Sequence, residues 1–294
     1  MNSKISVIIP SYNGRKKLPK ILKALEQQTL SGFELVVVID GSTDGSLEYL
    51  NSYSSRRFEL KVVEQRNLGR AGVRNSGASH ATGNLLVFLD DDMRPESNVL
   101  ELHAQFHQQH QGAICGGNQL ENIQEAQNDF DLYRCYIRQT WIQQYKGITE
   151  LNQKNAYLTA ANFSIVKTDF TKLGGFNGDL RDHEDREFAL RALRKGYRLF
   201  FDPTNVAWHD DFIPIVAYIQ RRRQYQHAFD LIDNSAQKSM FKKWFLYHWL
   251  SNALFVRSIQ KSSLILLPKG IRYRLYSLII WGMSMYFPHR KLSQ

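Results

Sequence analysis

The sequence predicts an α/β protein whose central sheet is mostly parallel and flanked by helices, followed by a C-terminal helical, basic region. Three observations carry that reading. Short apolar runs alternate with helix-patterned stretches between residues 5 and 89, the order that builds a parallel sheet. Those runs are apolar at successive positions, as strands buried on both faces must be. The charge is also divided: of the 38 Lys and Arg, ten fall from Lys238 onward, where no Asp or Glu occurs, and the 28 before it equal the 28 acids.

In chain order, "KISVIIP" is a strand stopped by a proline, and "RKKLPKILKALEQQ" carries Leu18, Ile21, Leu22 and Leu25 at helical spacing. "FELVVVID" is the second strand, and "STDGSLEYLNSY" opens like a capped helix. "ELKVVEQ" is a third strand, "GRAGVRNSGASHA" a helix of small residues suited to close packing, and "NLLVFL" a fourth strand. The second half predicts a helix in "ESNVLELHAQFHQQHQ", a strand in "AICGGNQL" and a helix in "YRCYIRQTWIQQY". A long strand in "AYLTAANFSIVK", a turn at "GGFN", a helix in "EDREFALRALRKG" and two short strands, "YRLFFD" and "NVAWH", follow.

With 294 residues, 43% apolar and 22% charged, the chain is long enough for one large domain or two modest ones and excludes wholesale disorder. Cys115 and Cys135 form no C-x-x-C pair, so they read as inert thiols in a reducing, cytoplasmic setting. The run "ISVIIP" is too short for a signal-peptide core. His103, His107 and His110 share a helical face, but the glutamines around them mark a solvated surface rather than a metal site.

Asp40 and Asp90 stand at the carboxyl ends of predicted strands, where ligands bind in open α/β sheets. Asp90, Asp91 and Asp92 follow "LLVFL" directly. Clustered carboxylates at a buried strand end are hard oxygen ligands for Mg²⁺ or Mn²⁺, which usually also hold phosphates. Alternation lets Asp90 and Asp92 face one cavity while Asp91 points elsewhere.

The order and spacing of "SVIIPSYN", "VVVIDGSTDGS", "NLGRAGVRNSGASHATGNLLVFLDDD", "AANFSIVK", "GGFN", "HEDREFALRALRKGYRL" and "VAWH" resemble those of the inverting family 2 glycosyltransferases with the GT-A fold. The resemblance runs through most of residues 1–210 and implies a glycosyltransferase domain there. Its nucleotide-sugar half would be about 1–118 and its acceptor half about 119–210, with 211–294 an appended amphipathic helical region. It implies that Pro10, Tyr12 and Asn13 line the base and ribose, and that Asp40 accepts a hydrogen bond from uracil. The family often has two acids at that point, where this chain has Ile39 and Asp40. Asp44 is the alternative turn acid of that segment. Arg70 or Arg74 would meet the diphosphate, Asp91 the sugar, and Asp90, Asp92 and His209 a divalent metal, Mn²⁺ or Mg²⁺.

Inverting transfer needs a carboxylate to deprotonate the attacking hydroxyl, and Asp185 occupies the family's base position. Glu187-Phe188 replaces the common Asp-Leu after it. Glu184, Asn162, Trp208 and Arg223 are further candidates for acceptor or diphosphate contact. The implied reaction moves a sugar from a nucleotide-diphosphate sugar, UDP-linked by expectation, to a hydroxyl acceptor in cell-envelope or exopolysaccharide assembly. Rival readings are a processive polysaccharide synthase, a nucleotidyltransferase and a silent GT-A scaffold. The first is weakened where Gln220 and Arg223 match a Q-x-x-R-W box but Gln224 replaces its tryptophan.

Residues 238–294 mix the ten bases with aromatics, the composition of helices that lie in a membrane interface. The longest uncharged stretch there, 275–288, is shorter than the roughly 20 residues of a spanning helix. The expectation is a protein peripheral on the inner face of the membrane, held to an anionic surface. No motif accompanies the charge to indicate nucleic acid, and a homo-oligomer through the tail is the alternative.

Overall fold

The structure, a computed structural model, describes residues 4–180, 182–222 and 266–286, excluding the side chains of 282–286. Backbone contacts divide the chain into two compact units, Met1–Leu120 with Ile142–Asp210, and Glu121–Trp141 with Asp211–Gln294.

The first unit is built on a mixed sheet of nine strands in the order β3-β2-β1-β4-β8-β6-β9-β5, with β7 beside β9. These are β1 (Ile5–Ser11), β2 (Phe33–Asp40), β3 (Phe58–Gln65), β4 (Leu85–Leu89), β5 (Met93–Pro95), β6 (Ala113–Glu121), β7 (Thr149–Leu151), β8 (Asn162–Val166) and β9 (Arg198–His209). The helices between them are α1 (Leu18–Glu26), α2 (Ser46–Asn51), α3 (Gly69–His80), α4 (Val99–Gln109), α6 (Lys167–Leu173) and α7 (Glu184–Arg194). Strands β1 to β4 pair in parallel, and β8 then runs antiparallel to β4. This is the predicted α/β class. The chain leaves β1 toward β2 and β3 on one side and returns to β4 on the other, so a crevice opens at the carboxyl ends of β1 and β4.

Strands β1, β2 and β4 are buried along nearly their whole length, as a sheet covered on both faces requires, while β3 at the edge is buried only at Phe58. Helix α1 presents Leu18, Ile21, Leu22 and Leu25 to the sheet from a single stripe, with a proline in its first turn. Helix α3 approaches β1 so closely that a Cβ on Gly77 would stand 2.4 Å from Ile8 Cγ2. Phe88 of β4, Phe163 of β8, Phe170 of α6, Phe176 and Phe188 of α7 form one aromatic cluster, which fixes α7 against the strand that ends in the aspartates.

Three expectations change. Only Asn162–Val166 of "AYLTAANFSIVK" is strand. Within that segment, the Thr159 carbonyl accepts from Asn162 N at 3.3 Å and Thr159 Oγ1 from Ala161 N at 3.3 Å, a local alternative to a ladder. "YRLFFD" and "NVAWH" join into the single strand β9. It continues past Pro203 because Asn118 donates to the Pro203 carbonyl and Asp202 accepts from Thr204 N.

The histidine face of α4 is not solvated at its start. His103 is fully buried, bonded to Asn162 at 3.0 Å and Ser164 at 2.8 Å, and His107 also reaches Ser164. Burial pushes His103 down to about 4, leaving it neutral. Cys115 and Cys135 are free, buried thiols.

In the second unit, α5 (Asp129–Ile142) contributes Phe130 and Tyr133 to a small core. Ile215 and Ile219 from a helical stretch at 215–222 join it, with Tyr273, Tyr276, Ile279 and Ile280 of α8 (Lys269–Tyr286). Asp129 is buried there, accepting from Tyr276 Oη at 2.6 Å and from Arg272 Nη2 at 2.9 Å. Among the described residues no helix is long and apolar enough to cross a membrane.

Gly77→Val should destabilise the protein by about 1–3 kcal/mol, the usual cost of overpacking, because α3 must lift from β1. Urea unfolding of the variant against the parent measures this.

Candidate active site

Strand β4 delivers three carboxylates to the crevice, and each meets a different cation or donor. Asp90 pairs with Arg74 Nη2 at 2.5 Å. Asp91 accepts from Ser11 Oγ at 2.7 Å and stands 3.5 Å from Lys17 Nζ. Asp92 lies 3.6 Å from the same lysine and 3.4 Å from His209 Nε2. Asp91 and Asp92 converge on Lys17, and Asp90 turns to Arg74.

Gly14 makes the Asp91 position possible, since a Cβ there would fall 2.1 Å from Ser11 Oγ and 2.5 Å from Asp91 Oδ2. Burial, reinforced by Asp92 and Asp90, pushes Asp91 up to about 6 against Lys17 and Ser11. Burial also works against the Asp92 charge. The His209 hydrogen bond and charge, with Lys17, outweigh it and hold this carboxyl well below its ordinary value.

Arg74 reaches across to the other candidate acids. It is buried, and its Nη1 pairs with Glu184 at 2.7 Å. Burial opposes its charge, yet Asp90 and Glu184 keep it a cation well above its usual range. Arg74 is thus shared between Glu184 and the strand-end Asp90. Next to Glu184, Asp185 accepts from Arg186 N at 2.7 Å and Ala160 N at 3.4 Å. Burial and the Glu184 charge push Asp185 up to about 6, against those hydrogen bonds and Arg74.

The start of α7 is positioned by the "GGFN" turn. Asn75 of α3 holds Phe176 through both its N–H and its carbonyl. Gly174 and Gly175 take positive φ, 86° and 66°, which a side chain would resist. Arg191 closes the turn by donating to the Leu173 and Gly175 carbonyls while pairing with Glu187. The departure Glu187-Phe188 is explained here: Glu187 holds Arg191, and Phe188 fills the aromatic cluster.

Among the residues expected to line a nucleotide, Asn13 (φ 50°) donates its N–H to Ser42 Oγ and accepts from Thr43 N, stitching the β1–α1 loop to the β2–α2 loop. Pro10 lies on β1 opposite Val38, and Tyr12 projects with 57% of its surface exposed. Asp44 is the turn acid, accepting from Ser46 and Arg15 N. Asp40 also has a structural role. Its Oδ1 accepts from Gln65 and Leu68 N, and its Oδ2 from Gly69 N at 3.1 Å. It therefore fixes the entry to α3. Arg70 is half-exposed and paired with Asp182 at 2.5 Å.

Two acceptor candidates fall elsewhere. Asn162 is fully buried between His103 and the Asn205 carbonyl, so its side chain is structural. Trp208 bonds Glu96 and alternates with His209 along β9, which puts it on the opposite face. Arg223 lies outside the described residues. Lys17 and Ser11 join the site without having stood out in the sequence. Nothing in "RKKLPK" separates Lys17 from its basic neighbours until α1 is docked. Among the described residues no three His, Cys, Asp or Glu side chains gather as a metal site; the expected trio is broken by the turn of Asp90 to Arg74.

Comparison with known proteins bears on the fold and the family. The glycosyltransferase GlyA of Streptococcus pneumoniae is 36% identical over 118 residues, 40% of this chain but 17% of that protein. This chain therefore spans only a small part of that relative. Among solved structures, the mannosyltransferase PcManGT from Pyrobaculum calidifontis, in complex with GDP-Man and Mn²⁺, superposes with a TM-score of 0.65 at 18% identity, over 96% of this chain and 85% of that one. S. aureus TarS 1-349 in complex with UDP-GlcNAc gives 0.58 at 17% identity, over 96% and 89%. These likenesses extend the fold to that of the GT-A glycosyltransferases. The family described as "Glycosyl transferase family 2" matches residues 6–174, more than half of the chain, and the chain belongs to that family.

Proposed function

We propose that the protein transfers a sugar, with inversion, from a nucleotide-diphosphate sugar to a hydroxyl acceptor. The observation that carries this is Asp185, a carboxyl raised to about 6 at the start of α7 and tied through Glu184 and Arg74 to the strand-end Asp90. A carboxylate tuned toward neutrality can take a proton from an attacking hydroxyl. A UDP-sugar is the favoured donor. Tyr12 offers an exposed ring to a base just after β1, and the buried Asp40 ends the neighbouring strand β2. The UDP-GlcNAc complex of TarS and the GDP-Man complex of PcManGT support a nucleotide-sugar in this crevice.

Asp92 and His209, a carboxylate and an imidazole 3.4 Å apart, fit a divalent cation, Mn²⁺ or Mg²⁺, whose remaining positions diphosphate oxygens can fill. Such a cation supplies charge stabilisation to a departing diphosphate. Lys17, beside Asp91 and Asp92, adds a second positive charge for that leaving group, and Arg70 a third once it leaves Asp182. Asp90 serves through Arg74 instead. We place the protein in the cytoplasm, peripheral on the inner face of the membrane, acting on a lipid-linked or glycan acceptor of envelope or exopolysaccharide assembly.

Asp185→Asn should keep nucleotide binding by calorimetry and lose transfer by about 10²–10⁴-fold, the range of a general base; a fully active variant overturns the assignment. The base must be ionised to act, so kcat/KM should rise with pH through about 6 and level above it, a limb absent from the residual rate of Asp185→Asn. Asp92→Ala should lose the Mn²⁺-dependent part of UDP binding, and unchanged affinity with and without Mn²⁺ removes the metal role.

A further inference from the structure

We propose that α8 of the second unit, with the adjoining end of α5, is a docking face for an anionic lipid surface. Helix α8 is apolar on two sides. Tyr273, Tyr276, Ile279 and Ile280 face the unit's core. On the outside, Ile271 (53% exposed), Arg274, Leu278 (59%) and Trp281 (44%) recur at i, i+3, i+7 and i+10, which is one stripe of a helix. The stripe continues at the start of α8, where Lys269 Nζ lies 5.6 Å over the ring of Tyr136, itself 42% exposed on α5.

The charge on this face has one sign. Helix α8 contains no acid, and both acids of α5, Asp129 and Asp131, are buried. Asp129 is engaged by Arg272 and Tyr276, so no carboxylate of either helix offsets Lys269 and Arg274 on the outside. That decides among occupants. The rest of the chain beyond Asp233 has no carboxylate to set against these bases, so it is a poor cover for them. A second copy would bring the same positive stripe against itself. An anionic bilayer supplies both halves of the match: headgroups for Lys269 and Arg274, and the upper acyl region for Ile271, Leu278 and the indole.

This inference deepens the peripheral location proposed above and is independent of the transfer chemistry. The test is flotation of the full chain with phosphatidylcholine vesicles with and without phosphatidylglycerol. Binding should require phosphatidylglycerol and weaken with salt. Arg274→Glu should lower partitioning about tenfold or more, and Leu278→Ser with Trp281→Ser should lower it even at low salt. Arg56→Glu, the same charge change at an exposed site on the other unit, should bind like the parent. The proposal is overturned if binding ignores phosphatidylglycerol, if the stripe variants bind like the parent, or if Arg56→Glu loses as much as Arg274→Glu. A dimer seen by light scattering that Trp281→Ser dissolves would also overturn it, in favour of a second copy. UDP binding by calorimetry on the same variants keeps the two readings apart, because a defect in lipid binding alone leaves it unchanged.

Discussion

Three carboxylates in succession at the end of a buried strand repel one another, and the first unit is arranged around their compensation. Arg74 from α3 takes Asp90, and Lys17 ahead of α1 takes Asp91 and Asp92. The two helices that flank β1 therefore each contribute one cation to the same strand end. An arginine buried between two carboxylates is costly to remove, because its loss leaves both as uncompensated charge. The geometry of the acids is consequently tied to the packing of α1 and α3 on the sheet, not to a flexible loop.

The same arginine extends this dependence to α7. Glu184 is its second partner, and Asp185 takes its environment from that pair. The aromatic cluster and the "GGFN" turn hold α7 by packing and backbone hydrogen bonds, while Arg74 holds it by charge. The two restraints act on different atoms of the helix start. A carboxyl whose proton affinity depends on a neighbouring ion pair is sensitive to such fixation, since a small shift in distance changes the field it feels.

Much of this is legible in the sequence. The parallel half of the sheet follows from apolar runs alternating with helix-patterned stretches, and Asp40, the aspartate triplet and Glu184-Asp185 stand out by their places after strands or before a helix. Other features are not local. Which aspartate meets which cation depends on helices more than ten residues away in sequence, so alternation along the chain does not pick out Arg74 for Asp90 or Lys17 for Asp91 and Asp92. His103 reads as solvated because its glutamine neighbours are polar, whereas its own position faces β8. Pro203 reads as a break between strands because its rescue comes from Asn118 and Asp202, which no short window joins. Lys17 carries no mark distinguishing it from Arg15 and Lys16.

The hydrogen bonds of Asp40 bear on how such a chain changes over generations. Its carboxylate holds Leu68 N and Gly69 N at the mouth of α3, so folding alone is reason enough to keep an acid there. A descendant that lost its donor could retain Asp40, and with it Asp90, Arg74 and Glu184, under selection for abundance only. Persistence of these residues in a lineage is therefore a weak witness to activity. Tyr12, with 57% of its surface exposed, and Arg70, half-exposed, are less tied to the fold than Asp40.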